Sequence, residues 1–155
     1  MTEPYLRRAD IKDMDLLFQW ANDETTRQNA FNTKKISYEE HVNWFINKME
    51  SNNCVIYIYC MDDKPIGQVR VDIENSRGLI SFNIDANHRS RGHGKRAIEL
   101  LESIIKNESS NMKILVAQVK KSNLASQRIF KRLNYRTTEK EDFYEYEKEN
   151  VIYTG

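Results

Sequence analysis

The sequence predicts an α+β domain with a central mixed, mostly antiparallel sheet of six to seven strands, flanked by about four helices. Apolar residues recur at helical spacing in two N-terminal segments, residues 10–23 and 37–51. Three short apolar segments then follow one another with turns of a few residues between them, which is typical of an antiparallel meander. After residue 92, helix and strand patterns alternate to the C-terminus.

The two N-terminal helices are predicted from capping residues and apolar spacing. Asp10 is the expected N-cap of a helix over residues 10–23, and Ser37 with Glu40 forms a capping box for a helix over 37–51. The expected apolar faces are Ile11, Met14, Leu17 and Phe18 in the first helix, and Tyr38, Val42, Phe45, Ile46 and Met49 in the second. The polar residues between these helices show no clear pattern and stay unassigned.

The strands are predicted from alternation or from continuous apolar runs. The expected strands cover residues 4–9, 54–61, 65–74, 79–85, 112–119, 134–142 and 143–153. Two further helices are expected over residues 92–107 and 123–133. Asn134 follows the second of these as a left-handed residue that ends the helix.

Composition restricts the classes of function. The net charge of +1 argues against a general nucleic-acid binder. Cys54 and Cys60 would lie on one strand roughly 20 Å apart, too far to bridge, and no Cys/His spacing suggests a metal. No apolar run reaches membrane-spanning length. We therefore expect a cytoplasmic protein, a monomer or homodimer, with no metal and no nucleic-acid or membrane partner.

The segment "RSRGHGKR", residues 89–96 and called here the basic loop, lies between a predicted strand and a predicted helix. The first N–H groups of a helix have no partners within the helix and attract anions. Gly92 and Gly94 would let a ligand approach these groups, and the surrounding cations would bind a diphosphate. The spacing matches neither a P-loop nor a dinucleotide-binding fingerprint.

Arg89-x-x-Gly92-x-Gly94 resembles the acetyl-CoA pyrophosphate loop of the GNAT superfamily of N-acetyltransferases. Thirty residues on, "SNLASQRIFKRLNYR" resembles the second motif of that family. Asn123, Ser126, Phe130 and Tyr135 are in register with it, and Asn134 takes the glycine position. The resemblance extends over nearly the whole chain and implies a single GNAT domain, residues 1–155.

The resemblance implies direct transfer of an acetyl group from acetyl-CoA, the cosubstrate, to a primary amine. It assigns the cofactor-binding role to Asn83, Ile84, Arg89, Ser90, Arg91, Gly92, His93, Gly94, Lys95, Asn123, Ser126 and Phe130. Backbone groups at the end of the fourth strand would pair with the pantetheine arm. Asp85 and Ser81 are the candidates for the catalytic base, and the sequence does not choose between them.

Phe130 departs from the family pattern, because a tyrosine that protonates the departing thiolate often stands there. Three readings stay open. The thiolate leaves unassisted or takes a proton from water, since a thiol pKa of about 8.5 makes it a tolerable leaving group. Another residue, such as one of the many tyrosines, replaces the missing hydroxyl. Alternatively, the register is shifted by a residue or more.

Residues 20–45 resemble bacterial GNAT enzymes that acetylate nucleotide-linked amino sugars, of the pseudaminic acid pathway type. The resemblance implies substrate binding by Arg27, Phe31, His41 and Trp44. A protein N-terminal acetyltransferase of the ribosomal-protein type is the alternative, and a CoA- or nucleic-acid-binding module without catalysis is the second. A nucleotide-sugar enzyme should direct basic side chains into its acceptor pocket. A peptide enzyme needs an open groove between the N-terminal helices and the last hairpin.

Overall fold

The computed structural model of the chain describes residues 3–107 and 112–149. The strands are β1 (Tyr5–Arg8), β2 (Cys54–Met61), β3 (Lys64–Glu74), β4 (Arg77–Ile84), β5 (Ile114–Lys120), β6 (Arg136–Glu139) and β7 (Phe143–Glu149). The helices are α1 (Met14–Ala21), α2 (Glu24–Asn29), α3 (Tyr38–Glu50), α4 (His93–Asn107) and α5 (Leu124–Arg132). Short 3₁₀ turns cover Ile11–Asp13 and Ala86–His88.

The seven strands form one sheet in the order β1-β2-β3-β4-β5-β7-β6. All neighbouring pairs are antiparallel except β4 and β5, which are parallel. The predicted α+β class, with a mostly antiparallel mixed sheet, is confirmed. The meander of β2, β3 and β4 uses two-residue turns, at Asp62–Asp63 and at Asn75–Ser76, whose φ angles are all positive. Such turns match the twist of the flanking strands.

The parallel pairing of β4 with β5 is short. Its rungs run from Arg77 opposite Ile114 to Leu79 opposite Val116, although both strands continue further. Residues 80–84 of β4 and 117–120 of β5 therefore separate, and we call the space between them the β4–β5 gap. Backbone groups that face such a gap have no sheet partner there and can bind an extended ligand.

The sheet is covered on both faces. Helices α4 and α5 cover one face through a core cluster that includes Ile80, Ile84, Leu101, Ala117, Phe130 and Tyr146. Helices α1 and α3 cover the other through a cluster that includes Trp20, Phe45, Cys54, Ile56, Ile58 and Cys60. Both cysteines are buried free thiols. Because successive strand residues alternate between faces, Ser81 and Asn83 lie on the α1–α3 face.

The first predicted helix begins later than expected. Asp10 accepts a hydrogen bond from the Lys12 N–H and caps the 3₁₀ turn Ile11–Asp13, after which α1 begins at Met14. Ile11, predicted on the buried face, is 63% exposed. The unassigned polar stretch contains α2, so there are five α-helices among the described residues in place of about four. Asp23 caps α2 through the Thr26 N–H.

The predicted N-cap of α3 is confirmed, but fewer of the predicted apolar residues are buried than expected. Ser37 accepts the Glu40 N–H as expected. Phe45 is buried, whereas Tyr38, Ile46 and Met49 are exposed, because α3 lies on the sheet along a narrow line. At the other end of the chain, β7 ends at Glu149, and the predicted continuation over residues 150–153 lies outside the described residues.

Candidate functional site

The basic loop connects the end of β4 to the start of α4. Ser90 and Gly92 have positive φ angles of 62° and 84°. The backbone reverses here, and α4 begins at His93, with the Arg96 N–H bonded to the Gly92 carbonyl. A Cβ atom on Gly92 would meet nothing within 4 Å, so the loop leaves open space beside the helix N-terminus. This geometry agrees with the predicted anion site.

Gly94 serves a different purpose from the one predicted. It is buried in the first turn of α4, and a Cβ atom there would lie 2.8 Å from Ile129 Cδ1 and 3.1 Å from Phe82 Cε2. The missing side chain therefore lets α4 approach α5 and β4 closely. The expectation that it makes room for a ligand is replaced by this packing role.

Arg89 points inward rather than towards a ligand. Its Nε donates to the Ile84 carbonyl at 3.0 Å, and its Nη2 forms an ion pair with Asp23. Burial alone would raise the pKa of Asp23, but the Arg89 guanidinium and the Thr26 N–H hold that pKa below its ordinary value. Arg89 thus anchors the loop to α2, and its contact with the cofactor stays a prediction.

The remaining cations of the loop are more exposed. Arg91 is exposed, and Lys95 lies 3.9 Å from Glu99 on the same helix. Arg96 pairs with Glu3 at 3.0 Å, and both side chains are largely exposed. Surface pairs of this kind are weak and can be exchanged for a stronger anion. Arg91, Lys95 and Arg96 are therefore the cations that the structure leaves near the start of α4.

His93, the first residue of α4, is held by a buried tyrosine. Its Nδ1 lies 2.8 Å from the hydroxyl of Tyr59, a fully buried residue of β2. Burial, followed by the nearby charges of His88 and Arg91, lowers the pKa of His93 below its ordinary value. The ring is therefore neutral near pH 7, and a bound anion would favour its protonation.

The second motif forms α5 and its caps. Asn123 accepts the Ser126 N–H at 3.2 Å, and its own amide donates to the Ser126 hydroxyl at 3.1 Å. Asn123 therefore caps the helix with its side chain, and the Ser126 hydroxyl holds the amide of that cap. Asn134 has a φ of 67°, as predicted for the residue that ends this helix.

Phe130 lies in the core rather than on an open surface. It is 1% exposed, and its ring centroid is 6.0 Å from that of Phe82 and 5.5 Å from that of Tyr146. The ring therefore fills the space on the α4–α5 face between β4 and β7. Sequence reasoning did not single out Tyr146, because its position depends on the pairing of β7 with β5.

The polar residues at the β4–β5 gap lie on the α1–α3 face. Ser81 accepts a hydrogen bond from Arg70 Nη2 at 3.3 Å. The side-chain carbonyl oxygen of Asn83 is buried and has no hydrogen-bond partner among the described residues. Asp85, the other candidate base, lies beyond β4, where its carboxylate accepts the Asn87 N–H and contacts His88 Nδ1 at 3.2 Å. Ser81 is therefore the candidate that faces this side of the gap.

A cavity of about 710 Å³ lies on the same face, and we call it the acceptor pocket. Ligand sites commonly have this size. Leu79, Val116 and Gln118 form its floor, at the point where β4 and β5 separate. Its other lining residues are Lys48, Ser51, Asn53, Cys54, Asp72, Ile73, Glu74, Asn75, Arg77 and Glu145.

Asp72 is the centre of an ion-pair network at this pocket. It accepts hydrogen bonds from Lys48 Nζ at 2.6 Å and from Arg70 Nε at 2.8 Å. Burial alone would raise the pKa of Asp72, but these two cations outweigh it and lower that pKa. The Arg70 guanidinium also lies 5.1 Å from the ring centre of Trp44. Arg77, at the other side, pairs with Glu147 at 3.2 Å.

Residues 5–136 match the family model described as the acetyltransferase (GNAT) domain. The chain belongs to this family. The GNAT domain is an acyl-CoA N-acyltransferase domain, so the chain is an N-acetyltransferase.

Solved structures agree with the GNAT fold. A domain from Methanocaldococcus jannaschii is 22% identical, with a TM-score of 0.84 over 96% of this chain and 99% of that chain. Spermidine N-acetyltransferase from Vibrio cholerae, in complex with CoA and spermine, is 14% identical, with a TM-score of 0.84 over 98% of both chains. A ribosomal α-N-protein acetyltransferase in complex with CoA is 16% identical, with a TM-score of 0.83 over 96% and 95%. No curated protein matches the chain by sequence.

The residues predicted to bind the acceptor do not form one site in this GNAT domain. Arg27 donates to the backbone carbonyls of Ala21, Asn32 and Lys34. His41 is 2% exposed, and its Nε2 bonds to the Met14 carbonyl at 2.8 Å. These contacts give both side chains structural roles, and their contact with substrate stays a prediction.

The two predicted aromatic contacts lie in different places. Phe31 is 55% exposed and packs edge-on against Phe143 of β7, at 5.4 Å between ring centroids. Trp44 is half-buried and lies against Arg70, at the ion-pair network of the acceptor pocket. Trp44 is thus the predicted substrate residue that lies nearest to the pocket network.

The described residues contain neither a metal cluster nor a membrane-spanning helix. No cluster of three His, Cys, Asp or Glu side chains there could hold a metal ion. Within the same part of the chain, no helix is both long and apolar enough to span a membrane.

Proposed function

We propose that the chain transfers the acetyl group of acetyl-CoA to the primary amine of a small polar molecule bound in the acceptor pocket. The observation that carries this proposal is that the basic loop, the β4–β5 gap and the acceptor pocket follow one another along the sheet. The basic loop lies at the open end of the β4–β5 gap, and the acceptor pocket has its floor at the closed end. A thioester in the gap would then meet an amine from the α1–α3 face.

The reaction requires the amine to arrive neutral and correctly oriented. The amine nitrogen forms a bond to the acetyl carbon, the carbon–sulphur bond breaks, and one proton leaves the nitrogen. The carbonyl oxygen of Asn83 is buried and without a partner at the gap, so we assign it to an amine N–H. Ser81, one rung deeper and bonded to Arg70, is placed to hold the water that takes the proton. We assign Asp85 a structural role instead, because its carboxylate caps the turn that precedes the basic loop.

A small acceptor is favoured over a peptide by the contacts of the α2 region. Phe31 packs on Phe143, and Lys120 Nζ donates to the Gln28 carbonyl at 3.0 Å. These contacts join α2 and the segment after it to the end of β5 and the start of β7, across the route that a peptide would need. The ribosomal-protein type of acceptor therefore has less support than a small molecule.

The acceptor class proposed first is an amino sugar, in the nucleotide-linked form that residues 20–45 suggest. The ion pairs of the pocket suit a hydroxyl-rich ligand, because carboxylates and guanidinium groups both bind hydroxyls. A diphosphate would have to compete for cations that already have partners, namely Lys48 and Arg70 with Asp72 and Arg77 with Glu147. The nucleotide part is thus the least supported element of the proposal.

A cationic amine such as a polyamine is the second candidate. Asp72, Glu74 and Glu145 line the pocket against Lys48 and Arg77, which leaves one acid in excess. An excess of carboxylates attracts a substrate with several amino groups. This candidate differs from the first in the sign of the charge that the acceptor carries.

Thiol release from acetyl-CoA tests the proposal directly. The acceptors should include UDP-linked amino sugars, free amino sugars, polyamines and peptides with free N-termini. We expect turnover with one small-molecule class and none with peptides. Turnover with peptides alone would contradict this proposal and support a protein N-terminal acetyltransferase of the ribosomal-protein type. Tight CoA binding without turnover on any amine would favour the CoA-binding module.

A further inference from the structure

Two buried side-chain polar atoms have no hydrogen-bond partner within residues 3–107 and 112–149. One belongs to β4 beside the β4–β5 gap, and the other belongs to β7, which pairs with the opposite edge of β5. They are Asn83 Oδ1 and the hydroxyl of Tyr146. A buried polar atom without a partner costs about 1–3 kcal/mol, so such atoms are rare in folded proteins. Asn83 lies on the α1–α3 face, and Tyr146 belongs to the core on the α4–α5 face. One is an acceptor and the other a donor.

Tyr146 stands at the level where the gap closes. The last β4–β5 rung joins Leu79 to Val116, and Ala117 is the next residue of β5. Tyr146 of β7 is paired directly with Ala117. Because Ala117 has only a methyl group, little side chain stands between the tyrosine and the closed end of the gap. A thiol that enters the gap from the basic loop would end at this level.

The aromatic neighbours of Tyr146 also connect it to the gap. Its ring is 0% exposed and stacks on Phe130, with a centroid distance of 5.5 Å and an angle of 22° between the planes. Phe130 in turn contacts Phe82 of β4. The three rings therefore span from β4 to β7 across β5. Of these three aromatic side chains, only that of Tyr146 has a hydroxyl.

The leaving group of an acetyl transfer is the CoA thiolate, which develops negative charge as the carbon–sulphur bond breaks. Where CoA fills the gap and displaces water from around the sulphur, a hydrogen-bond donor stabilises this charge strongly. Phe130 has no proton to donate. Within the described core at this level, the Tyr146 hydroxyl is the donor that lacks any other acceptor.

We propose that the Tyr146 hydroxyl donates a hydrogen bond to the CoA sulphur and stabilises it as the thioester breaks. The inference rests on the acetyl transfer proposed above. The tyrosine keeps its proton, the proton lost by the amine goes to water, and the thiolate takes a proton from water on release. Tyr146 thereby performs the task for which residue 130 has no hydroxyl.

The protonation state of Tyr146 agrees with this role. Burial, with a further contribution from Tyr144, raises the pKa of the Tyr146 phenol above its ordinary value. The hydroxyl therefore remains a donor throughout the neutral and mildly alkaline range. The role requires a donor in that range rather than an acid that gives up its proton.

The test compares Tyr146→Phe with Tyr144→Phe, which removes a hydroxyl from a neighbouring residue on the same face of β7. CoA alone is the probe, and the ultraviolet absorbance of its thiolate is followed against pH in the complex. A donor to the sulphur lowers the pKa of the bound thiol. We expect this pKa to rise by about one unit in Tyr146→Phe, and to stay unchanged in Tyr144→Phe.

Because this measurement uses no amine, its result is independent of the proposed acceptor. With the best acceptor found for the wild type, kcat should fall about tenfold in Tyr146→Phe, with an unchanged KM for acetyl-CoA. Adding Phe130→Tyr to Tyr146→Phe should restore both the thiol pKa and kcat. A bound-thiol pKa that is equal in the wild type and both single variants would overturn the proposal, and would reduce Tyr146 to a packing residue.

Discussion

Arg89 of the basic loop and Asp23 at the start of α2 form an ion pair, although 66 residues separate them in the sequence. Asp23 also accepts the Thr26 N–H that begins α2. The same carboxylate thus caps a helix on one side of the sheet and fixes the loop that leads to α4 on the other. The shape of the basic loop consequently depends on the start of α2, within the region that was predicted to bind the acceptor.

Asp23→Asn should weaken CoA binding without unfolding the protein. Asparagine caps a helix as well as aspartate does, so α2 should persist. The charge that holds Arg89 is lost, and the loop must then be ordered on binding. We expect the Kd for CoA to rise about tenfold, which corresponds to about 1.4 kcal/mol. Isothermal titration calorimetry with CoA measures this Kd.

Glu24→Gln is the matched control for this change. Glu24 is the neighbouring exposed carboxylate in the first turn of α2. The variant should bind CoA like the wild type. If both variants bound CoA with the wild-type Kd, the ion pair would have no part in the shape of the loop.

Substitutions of the two glycines should separate ligand binding from packing. Gly92→Glu places a carboxylate in open space at the helix N-terminus, where it competes with the diphosphate. We expect loss of CoA binding, with the protein destabilised by only about 1–2 kcal/mol, because a non-glycine residue is strained at a φ of 84°. Gly94→Ala forces a methyl group against Ile129 and should destabilise the protein by about 1–3 kcal/mol. Thermal unfolding and CoA titration of both variants check this contrast. The reverse pattern would contradict the assignment of Gly92.

Local patterns in the sequence predicted the motifs but not their side-chain partners. The basic loop, the left-handed Asn134 and the alternating strands depend on nearby residues and were predicted correctly. The inward turn of Arg89 depends on Asp23, and the burial of Tyr146 depends on β7 pairing with β5. Contacts between distant segments of this kind leave no periodic signal in a single sequence.

The α2 region shows the same limit in a different form. Its six residues carry no apolar stripe, so periodicity could not identify a helix. The Asp23 cap and the contact of Arg27 with three carbonyls hold the segment instead. An arginine beside polar residues resembles a substrate ligand in sequence, whereas its actual partners are backbone groups of its own loop.

CoA binding should be linked to protonation of His93. Its pKa in the free protein lies below the ordinary 6.5, and a bound diphosphate raises it. Binding therefore takes up a proton, and affinity increases as pH falls through the raised pKa of the bound state towards the lowered pKa of the free protein. The Kd of the wild type relative to His93→Gln should fall over this range. Equal pH dependence in both proteins would contradict the link.

Arg27→Lys and Arg27→Ala test whether this residue stabilises its loop or binds the acceptor. Either change leaves carbonyls of residues 21, 32 and 34 without their donor. We expect about 1–3 kcal/mol of destabilisation from alanine, or a melting temperature lower by roughly 2–12 °C. Lysine should recover only part of this stability, because its ammonium group lacks the planar fork of donors that the arginine guanidinium has. An unchanged melting temperature with a raised KM for the amine would return Arg27 to the acceptor site.

Asp72→Asn should reveal the charge of the acceptor. The change removes the carboxylate between Lys48 and Arg70 and leaves two cations at the pocket with a neutral partner. If the acceptor is a polyamine, kcat/KM should fall about tenfold, because a cation then enters a more positive pocket. For a UDP-linked amino sugar it should rise, because the freed cations can meet the diphosphate. Glu50→Gln, an exposed carboxylate at the end of α3 outside the pocket lining, controls for the loss of one acid. Equal effects of the two variants on every acceptor would show that the pocket does not select by charge.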